Sequence, residues 1–450
     1  MPFDRSVRHF AEDIRRLREW LPGERRTRLR RARTGYFCIV SLRTERMKKS
    51  PLAIILLIVF IDLIGFGMII PILPLYAQSF GALEWQIGLL LASYSFMQFL
   101  ASPVLGGISD RFGRKPVLLC SLLGSATGYI LMANAHSLLM LFLARIIAGI
   151  SGASVGTASA YIADITPPEN RSRRIGLIGA AFGVGFVLGP AIGGLLSLIS
   201  PAVPFWFAAV VALLNGLAVI ALLPEPKEHA DRLQNLESAG EVWSGSFGRW
   251  LGLLVLTYFV AIAGFAIVTM IYPQVSHRRF GLSQSQISWI FVVLGLVGAL
   301  IQGGAIGRLA KRFGDYKLAV VGLAVMAVSM ALMPFGTTIA LFVLFTIGLG
   351  IGNSLAQPTI NAMASKGAHA GVQGRVLGIL QSAGSLGRVC GPAIGGFLLA
   401  SDHGRPPIEY GNTPFLIGGL IMAVAFVVSL SLRGVERAST EPAINVGREL

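Results

Sequence analysis

The chain has 450 residues, 54% of them hydrophobic and only 13% charged, with a formal net charge of +16. That balance excludes an ordinary soluble domain and points to an integral membrane protein. The positive excess collects between long apolar runs, so it argues for membrane topology and against a nucleic-acid surface.

Residues 1–46 carry thirteen Arg and the amphipathic piece FAEDIRRLREWL, which could lie on an anionic leaflet. No apolar core precedes a small-residue cleavage site, so this is not a signal peptide. Two readings stay open: a disordered basic tail spanning 1–49, or an upstream translation artefact with Met47 as the natural start.

A bilayer core about 30 Å thick needs roughly 20 apolar residues per helical span. Such runs occur at 52–77, 86–108, 117–135, 138–163, 175–199, 205–223, 250–273, 286–307, 318–335, 339–362, 376–400 and 414–432. They are continuous, unlike the alternating ten-residue strands of a barrel, so the expected fold is all-α with twelve transmembrane helices. With the N-terminus in the cytoplasm, 33 of the 38 Lys and Arg stay inside. Arg278, Arg279 and Arg405 lie outside, and Arg145 and Arg388 fall within spans. Both termini are therefore expected in the cytoplasm.

In the first span, Asp62 is the only acid within any of these runs, about 15 Å above the inner edge at Leu52 at 1.5 Å per residue. A carboxylate at that depth costs roughly 2.5–3.5 kcal/mol on lenient insertion scales, which makes it a candidate proton or cation coupling site. A protonated carboxyl that only hydrogen-bonds a neighbouring span is the alternative. Gly65 and Gly67 allow close approach there, while Pro71 and Pro74 interrupt the backbone ladder. Between spans two and three, GGISDRFGRKP places Gly106, Asp110, Arg111, Gly113, Arg114 and Lys115 in a very short connection. Positive-inside topology accounts for its cations but not for Asp110. Arg145 is buried in span four and should face the cavity or pair with an acid, Asp62 being the one available within a span. Asp164 closes the inner end of that span.

The hexapeptide GPAIGG occurs at 189–194 and again at 391–396. Gly176, Gly185, Gly189, Pro190, Gly193 and Gly194 are matched by Gly378, Gly387, Gly391, Pro392, Gly395 and Gly396, and DRFG at 110–113 is echoed by KRFG at 311–314. The chain thus reads as two duplicated six-helix bundles, 50–223 and 250–433. A polar cytoplasmic linker, 224–249, joins them, and a short cytoplasmic tail, 434–450, follows. Parallel repeats of this kind suit a rocking transporter with its site near the midplane. Glycines every four residues at 185, 189 and 193 suit close helix packing and need touch no substrate. The cavity wall is expected to include Tyr94, Met97, Gln98, Tyr258, Asn353, Gln357, Asn361, Gln381 and Arg388, an apolar and adaptable surface with a few polar handles.

These motifs in combination resemble the major facilitator superfamily, and within it the twelve-span drug:proton antiporters, including tetracycline-type exporters. The signatures are GGISDRFGRKP, Arg145 with YIADITPPENRSRR, the glycine-proline helix, and IDLIGFGMIIPILPLY. The resemblance implies a cytoplasmic gate in which Asp110, Arg114 and Asp164 form switchable charge pairs and Asp110 sets itself against a helix N-terminus. Lys311 replaces the acid in the second copy, so the latch should be asymmetric. It also implies that Arg145 helps proton transfer at Asp62, and that the glycine-proline motif of span five marks an antiporter. Spans three and nine lack the acids of the tetracycline-type relatives, which argues against recognition of metal-chelated tetracycline. Arg388 adds a second buried cation, leaving room for an anionic or zwitterionic substrate.

The expected function is proton-coupled efflux of small amphipathic compounds across a bacterial inner membrane by a monomer. Its partners are the substrate, protons and the bilayer. A proton-coupled exchanger or importer of an organic anion is the runner-up, and a non-transporting sensor of the same fold the third reading. No Walker-type loop, metal-ligand cluster or catalytic constellation is present, so neither an enzyme nor a cofactor, metal or nucleic-acid partner is expected.

Overall fold

The computed structural model describes residues 50–152, 154–166, 171–225, 245–368 and 373–433. The basic N-terminal segment, most of the polar linker and the residues from 434 onward lie outside the described residues. By its contacts the chain divides into Met1–Ala53 and Ile54–Leu450, and every contact below lies within the second unit.

Without water to satisfy backbone groups, apolar runs of this length close their hydrogen bonds internally, and the described residues contain helices and no strand. In chain order they are α1 (Pro51–Gln78), α2 (Glu84–Phe112), α3 (Arg114–Ala133), α4 (Leu138–Ile150), α5 (Ser154–Asp164), α6 (Arg171–Leu196) and α7 (Val203–Leu222). The second half contributes α8 (Gly245–Phe280), α9 (Gln284–Leu300), α10 (Ile306–Phe313), α11 (Asp315–Leu332), α12 (Ile339–Gly367), α13 (Gln373–Ala400) and α14 (Asn412–Leu430). Among the described residues, eleven helices are long and apolar enough to cross a membrane. The remaining expected span, 175–199, is the 26-residue helix α6.

Several boundaries differ from the hydropathy reading. The expected fourth span is interrupted between Ile150 and Ser154, so α4 and α5 share it. The eighth is interrupted by a π-turn at Ile301–Ala305, a feature that hydropathy does not register. Helix α2 runs on to Phe112, so Asp110 and Arg111 sit in its last turn rather than in a loop. One residue, Gly113, separates α2 from α3 at φ 102°, and Gly314 repeats the break before α11 at φ 83°. Both lie in the left-handed region that favours glycine. Helix α8 starts at Gly245, inside the expected linker, and extends to Phe280, so Arg278 and Arg279 also lie on a helix.

The glycine-proline repeats explain how the halves are built and joined. A Cβ added at Gly185 would stand 2.9 Å from the Leu63 Cβ, and one at Gly189 would stand 2.8 Å from the Ile64 carbonyl oxygen and the Met68 nitrogen. One at Gly193 would meet Ile72 at 2.9 Å. Helix α6 thus lies backbone to backbone on α1, Gly67 completing the contact from the other side. In the second half, a Cβ added at Gly387 would stand 2.9 Å from the Phe259 carbonyl oxygen and one at Gly391 would clash with the Ala263 carbonyl oxygen, so α13 is seated on α8 in the same way.

The last glycine of each hexapeptide then crosses to the other half. A Cβ at Gly396 would lie 2.9 Å from the Gly88 Cα, and one at Gly194 would lie 2.6 Å from the Ser288 Cβ. Helices α2 and α13 pack together, as do α6 and α9. The two halves therefore meet near the Glu84 end of the helices. At the opposite, Asp110 end, Gly106, Gly107, Gly303, Gly304 and Gly307 have open space where a Cβ would be. Large apolar side chains such as Val104, Leu139, Leu217 and Leu420 remain exposed, as expected of surfaces that face lipid tails.

Overpacking these contacts should cost about 1–3 kcal/mol. Gly189→Val is expected to lower the thermal stability of the purified protein clearly. Gly252→Ala, where nothing lies within 4 Å, should leave the unfolding temperature essentially unchanged in the same scan.

Candidate functional site

Gly152 explains the break in the fourth span. A Cβ there would stand 2.9 Å from the Tyr94 hydroxyl and 3.1 Å from the Gln98 Nε2, and Gln98 donates to the Gly152 carbonyl oxygen at 2.5 Å. Non-helical backbone at membrane depth persists where other protein groups satisfy it. The interruption leaves Ser154 as the first residue of α5, and its hydroxyl donates to Asp62 Oδ2 at 2.6 Å. Tyr129 lies on the same side of α1, its hydroxyl 3.4 Å from where a Gly65 Cβ would be.

Arg145 does not pair with Asp62, the one acid within a span that the sequence offered it. Its guanidinium lies over the Tyr94 ring, 4.4 Å from the centroid, and its buried Nε has no hydrogen-bond partner. Ser154 donates to Asp62, and Arg145 instead makes a cation–π contact with the Tyr94 face. From the second half, Arg388 donates to Ser385 at 2.9 Å. Helices α2 and α13 meet where Gly88 faces Pro392 and Gly396, so Tyr94 and Arg388 lie at about the same depth, and Arg388 and Tyr258 both flank Gly384.

The other expected cavity residues divide. Gln381 donates to Asn361 at 3.3 Å, and Gln381, Ser385 and Arg388 follow one face of α13. Asn361 also donates to the Gln357 carbonyl. Tyr258 is buried against Gly384, and Met97 packs against Gly149. Asn353 is half-buried on α12 and makes no side-chain hydrogen bond. Of the antiporter-motif residues, Gly185, Gly189 and Gly193 line the α1 contact, Gly194 touches α9, Pro190 lies inside α6, and Gly176 lies nearer the start of that helix.

At the Asp110 end, Arg114 is the hub. Its Nη2 lies 2.7 Å from Asp110 Oδ1 and its Nε 2.8 Å from Asp164 Oδ2, while Nη1 donates to Ser109 at 2.9 Å. The pairs are unequal: the Asp164 side chain is 2% exposed and that of Asp110 62%. Asp110 lies in the last turn of α2, and the carboxylate at the start of α3 is Glu225. Glu225 accepts from the Arg114 and Lys115 backbone N–H groups at 2.5 and 3.0 Å, where the first turn of α3 leaves donors unpaired. Gly113 supplies the turn that brings Glu225 close, and Arg111 is exposed. The corresponding positions of the second half reverse the charges: Asp315 opens α11 and pairs with Lys366 on α12.

The Glu84 end holds a cluster that hydropathy and motifs did not disclose. Glu84, buried at the start of α2, accepts from His403 Nδ1 at 2.8 Å and from the Tyr410 hydroxyl at 3.0 Å, with Arg278 Nη1 at 3.9 Å. Arg278 also lies over the Tyr410 ring at 4.2 Å. Asp402 folds the connecting segment by accepting from the Gly411 and Thr413 backbones. Burial, with the Glu84 charge beside it, pushes the Tyr410 hydroxyl well above its ordinary pKa, so it remains a donor. Glu84 belongs to the first half and its donors to the second, so the cluster ties the halves together where Gly88 and Gly396 touch. An acid at a helix start is common, and no sequence spacing linked it to residues more than 300 positions away.

The family model described as Major Facilitator Superfamily matches residues 55–255 and 254–448. The tetracycline resistance protein, class C, of Escherichia coli is 37% identical over 355 residues, covering 77% of this chain and 88% of the relative. Multidrug resistance protein 1 of Bacillus subtilis (strain 168) is 28% identical over 385 residues, covering 85% and 96%. Among solved structures, the human organic anion transporter MFSD10 superposes with a TM-score of 0.64 at 26% identity, covering 84% of this chain and 98% of that one.

Arg114→Ala removes the guanidinium shared by Ser109, Asp110 and Asp164, so it should destabilise the protein more than Asp110→Ala, which at an exposed pair should cost under about 1 kcal/mol. Chemical unfolding of the two variants in the same detergent checks the ordering.

Proposed function

The chain belongs to the major facilitator superfamily, and we propose that it exports small amphipathic, drug-like compounds in exchange for protons, with Asp62 as the coupling carboxyl. The observation that carries this reading is Asp62 itself. It is a mid-span carboxyl held by Ser154 of α5, one turn along α1 from Gly65, against which the Tyr129 hydroxyl lies. A membrane-embedded acid with one hydroxyl partner and no fixed counter-ion can take up and release a proton without breaking a salt bridge.

Lys and Arg concentrate at the Asp110 end, which supports a cytoplasmic position for that end and for both termini, in a bacterial inner membrane. The arrangement joined by Glu84, His403 and Tyr410 is then sealed outside, with Asp62 approached from inside. In the alternate state Asp62 meets the outer solution, loads a proton and returns it inward as substrate leaves in the other direction. Arg114, Asp110 and Asp164 act as a cytoplasmic gate, holding α2, α3 and α5 as one body, so that closing that end moves the body as a unit. The tetracycline and multidrug resistance proteins among the relatives support efflux as the direction and drug-like molecules as the cargo.

Asp62→Asn keeps size and hydrogen bonding but removes the titratable group. In proteoliposomes with an imposed proton gradient it should bind a transported compound yet lose uphill accumulation and substrate-evoked proton release, and Asp62→Glu should retain part of both. Uphill accumulation by the Asn variant at the parent rate would place the driving ion elsewhere.

A further inference from the structure

The charges near Tyr94 do not balance. Arg145 on α4 lies over the Tyr94 ring, and the packing of α13 on α2, with Gly88 against Pro392 and Gly396, sets Arg388 of the opposite half at about the same depth. Among the described residues the acid within the spans is Asp62, which is hydrogen-bonded to Ser154 and lies in no ion pair with either arginine. Arg145 is 5% exposed, and its buried Nε donates to no protein acceptor. Arg388 is satisfied only by a neutral hydroxyl one turn away on its own helix.

A buried guanidinium without an anion is costly, and five fixed donors in one plane match a carboxylate or similar oxyanion well. We propose that Arg145 and Arg388 together seat an anionic group, a carboxylate or an enolate, of the exported compound, with the Tyr94 ring beside its aromatic body. Ser385, Gln381 and Asn361 extend from Arg388 as neutral hydrogen-bonding handles. The arginines come from different halves, so an anion held by both is gripped from both sides of the moving interface. Asp62 stands near enough to repel it once deprotonated, which relates cargo and proton at one place. The inference rests on the export reading for the word cargo, but the anion seat itself is an equilibrium property.

Two fluorescent probes of one shape test it: 1-naphthylacetate and its neutral amide, titrated against the full-length protein in nanodiscs without any gradient. The carboxylate should bind at least about tenfold more tightly, the scale of one charge-assisted hydrogen bond. Arg388→Gln and Arg145→Gln should each abolish that preference while leaving amide binding in place, and Arg388→Lys should keep part of it. Equal binding, tighter binding of the amide, no binding of either probe, or an undiminished preference in both Gln variants would overturn the proposal. An intact anion preference in a protein that cannot drive uphill transport would instead overturn the export reading and leave the anion seat standing.

Discussion

At the repeated glycines, helix backbones approach one another directly. Two helices with the same GPAIGG core each lie on a partner in their own half through glycines four residues apart, then reach the other half with the final glycine. With no hydrophobic force to drive helices together in lipid, such contact relies on dispersion and on side chains small enough to allow it. The same hexapeptide thus sets the internal geometry of each half and the seam between them. The seam runs along two helix pairs, α2 with α13 and α6 with α9, and includes Gly88 against Gly396 and Gly194 against Ser288.

Electrostatics differ at three depths along that seam. At the Glu84 end a buried carboxylate draws donors from the opposite half, so sealing there has a polar component that can be released. At the middle, Arg145 lies over the Tyr94 ring, and Arg388 of the opposite half lies at about the same depth. At the Asp110 end, by contrast, the Arg114 pairs stay within the first half, and the reversed Asp315–Lys366 pair stays within the second. Each half is braced internally at the end where they part and tied to its partner at the end where they meet. That division follows from the duplicated sequence with its local substitutions, since equivalent positions carry opposite charges.

The helices, their number and the duplication were legible because each rests on a long, local signal: apolar length, Lys and Arg bias, and a repeated hexapeptide. Asp62 and Arg145 stood out because charge within a span is rare. Their relation was not legible. Ser154, the partner of Asp62, is one small residue in a glycine-rich segment. The same holds for Glu225, which caps α3, and for Glu84 with His403 and Tyr410. Pairings across 50 to 300 residues depend on helix rotation, which hydropathy leaves undetermined. The π-turn at Ile301–Ala305 escaped for a related reason, because one altered backbone turn leaves the apolar run unbroken.

Alternating closure of the two ends is tested most directly by measuring both ends in one membrane sample. Spin labels at Arg111→Cys and Lys311→Cys would report the Asp110 end, and labels at Leu83→Cys and Ser283→Cys the Glu84 end, with the native cysteines replaced. The structure predicts two distances for each pair with reciprocal populations, and Gly396→Val should shift both pairs together, lengthening the Glu84-end distance and shortening the other. A single distance at each end that ignores pH, substrate and Gly396→Val would contradict it, as would both ends opening at once.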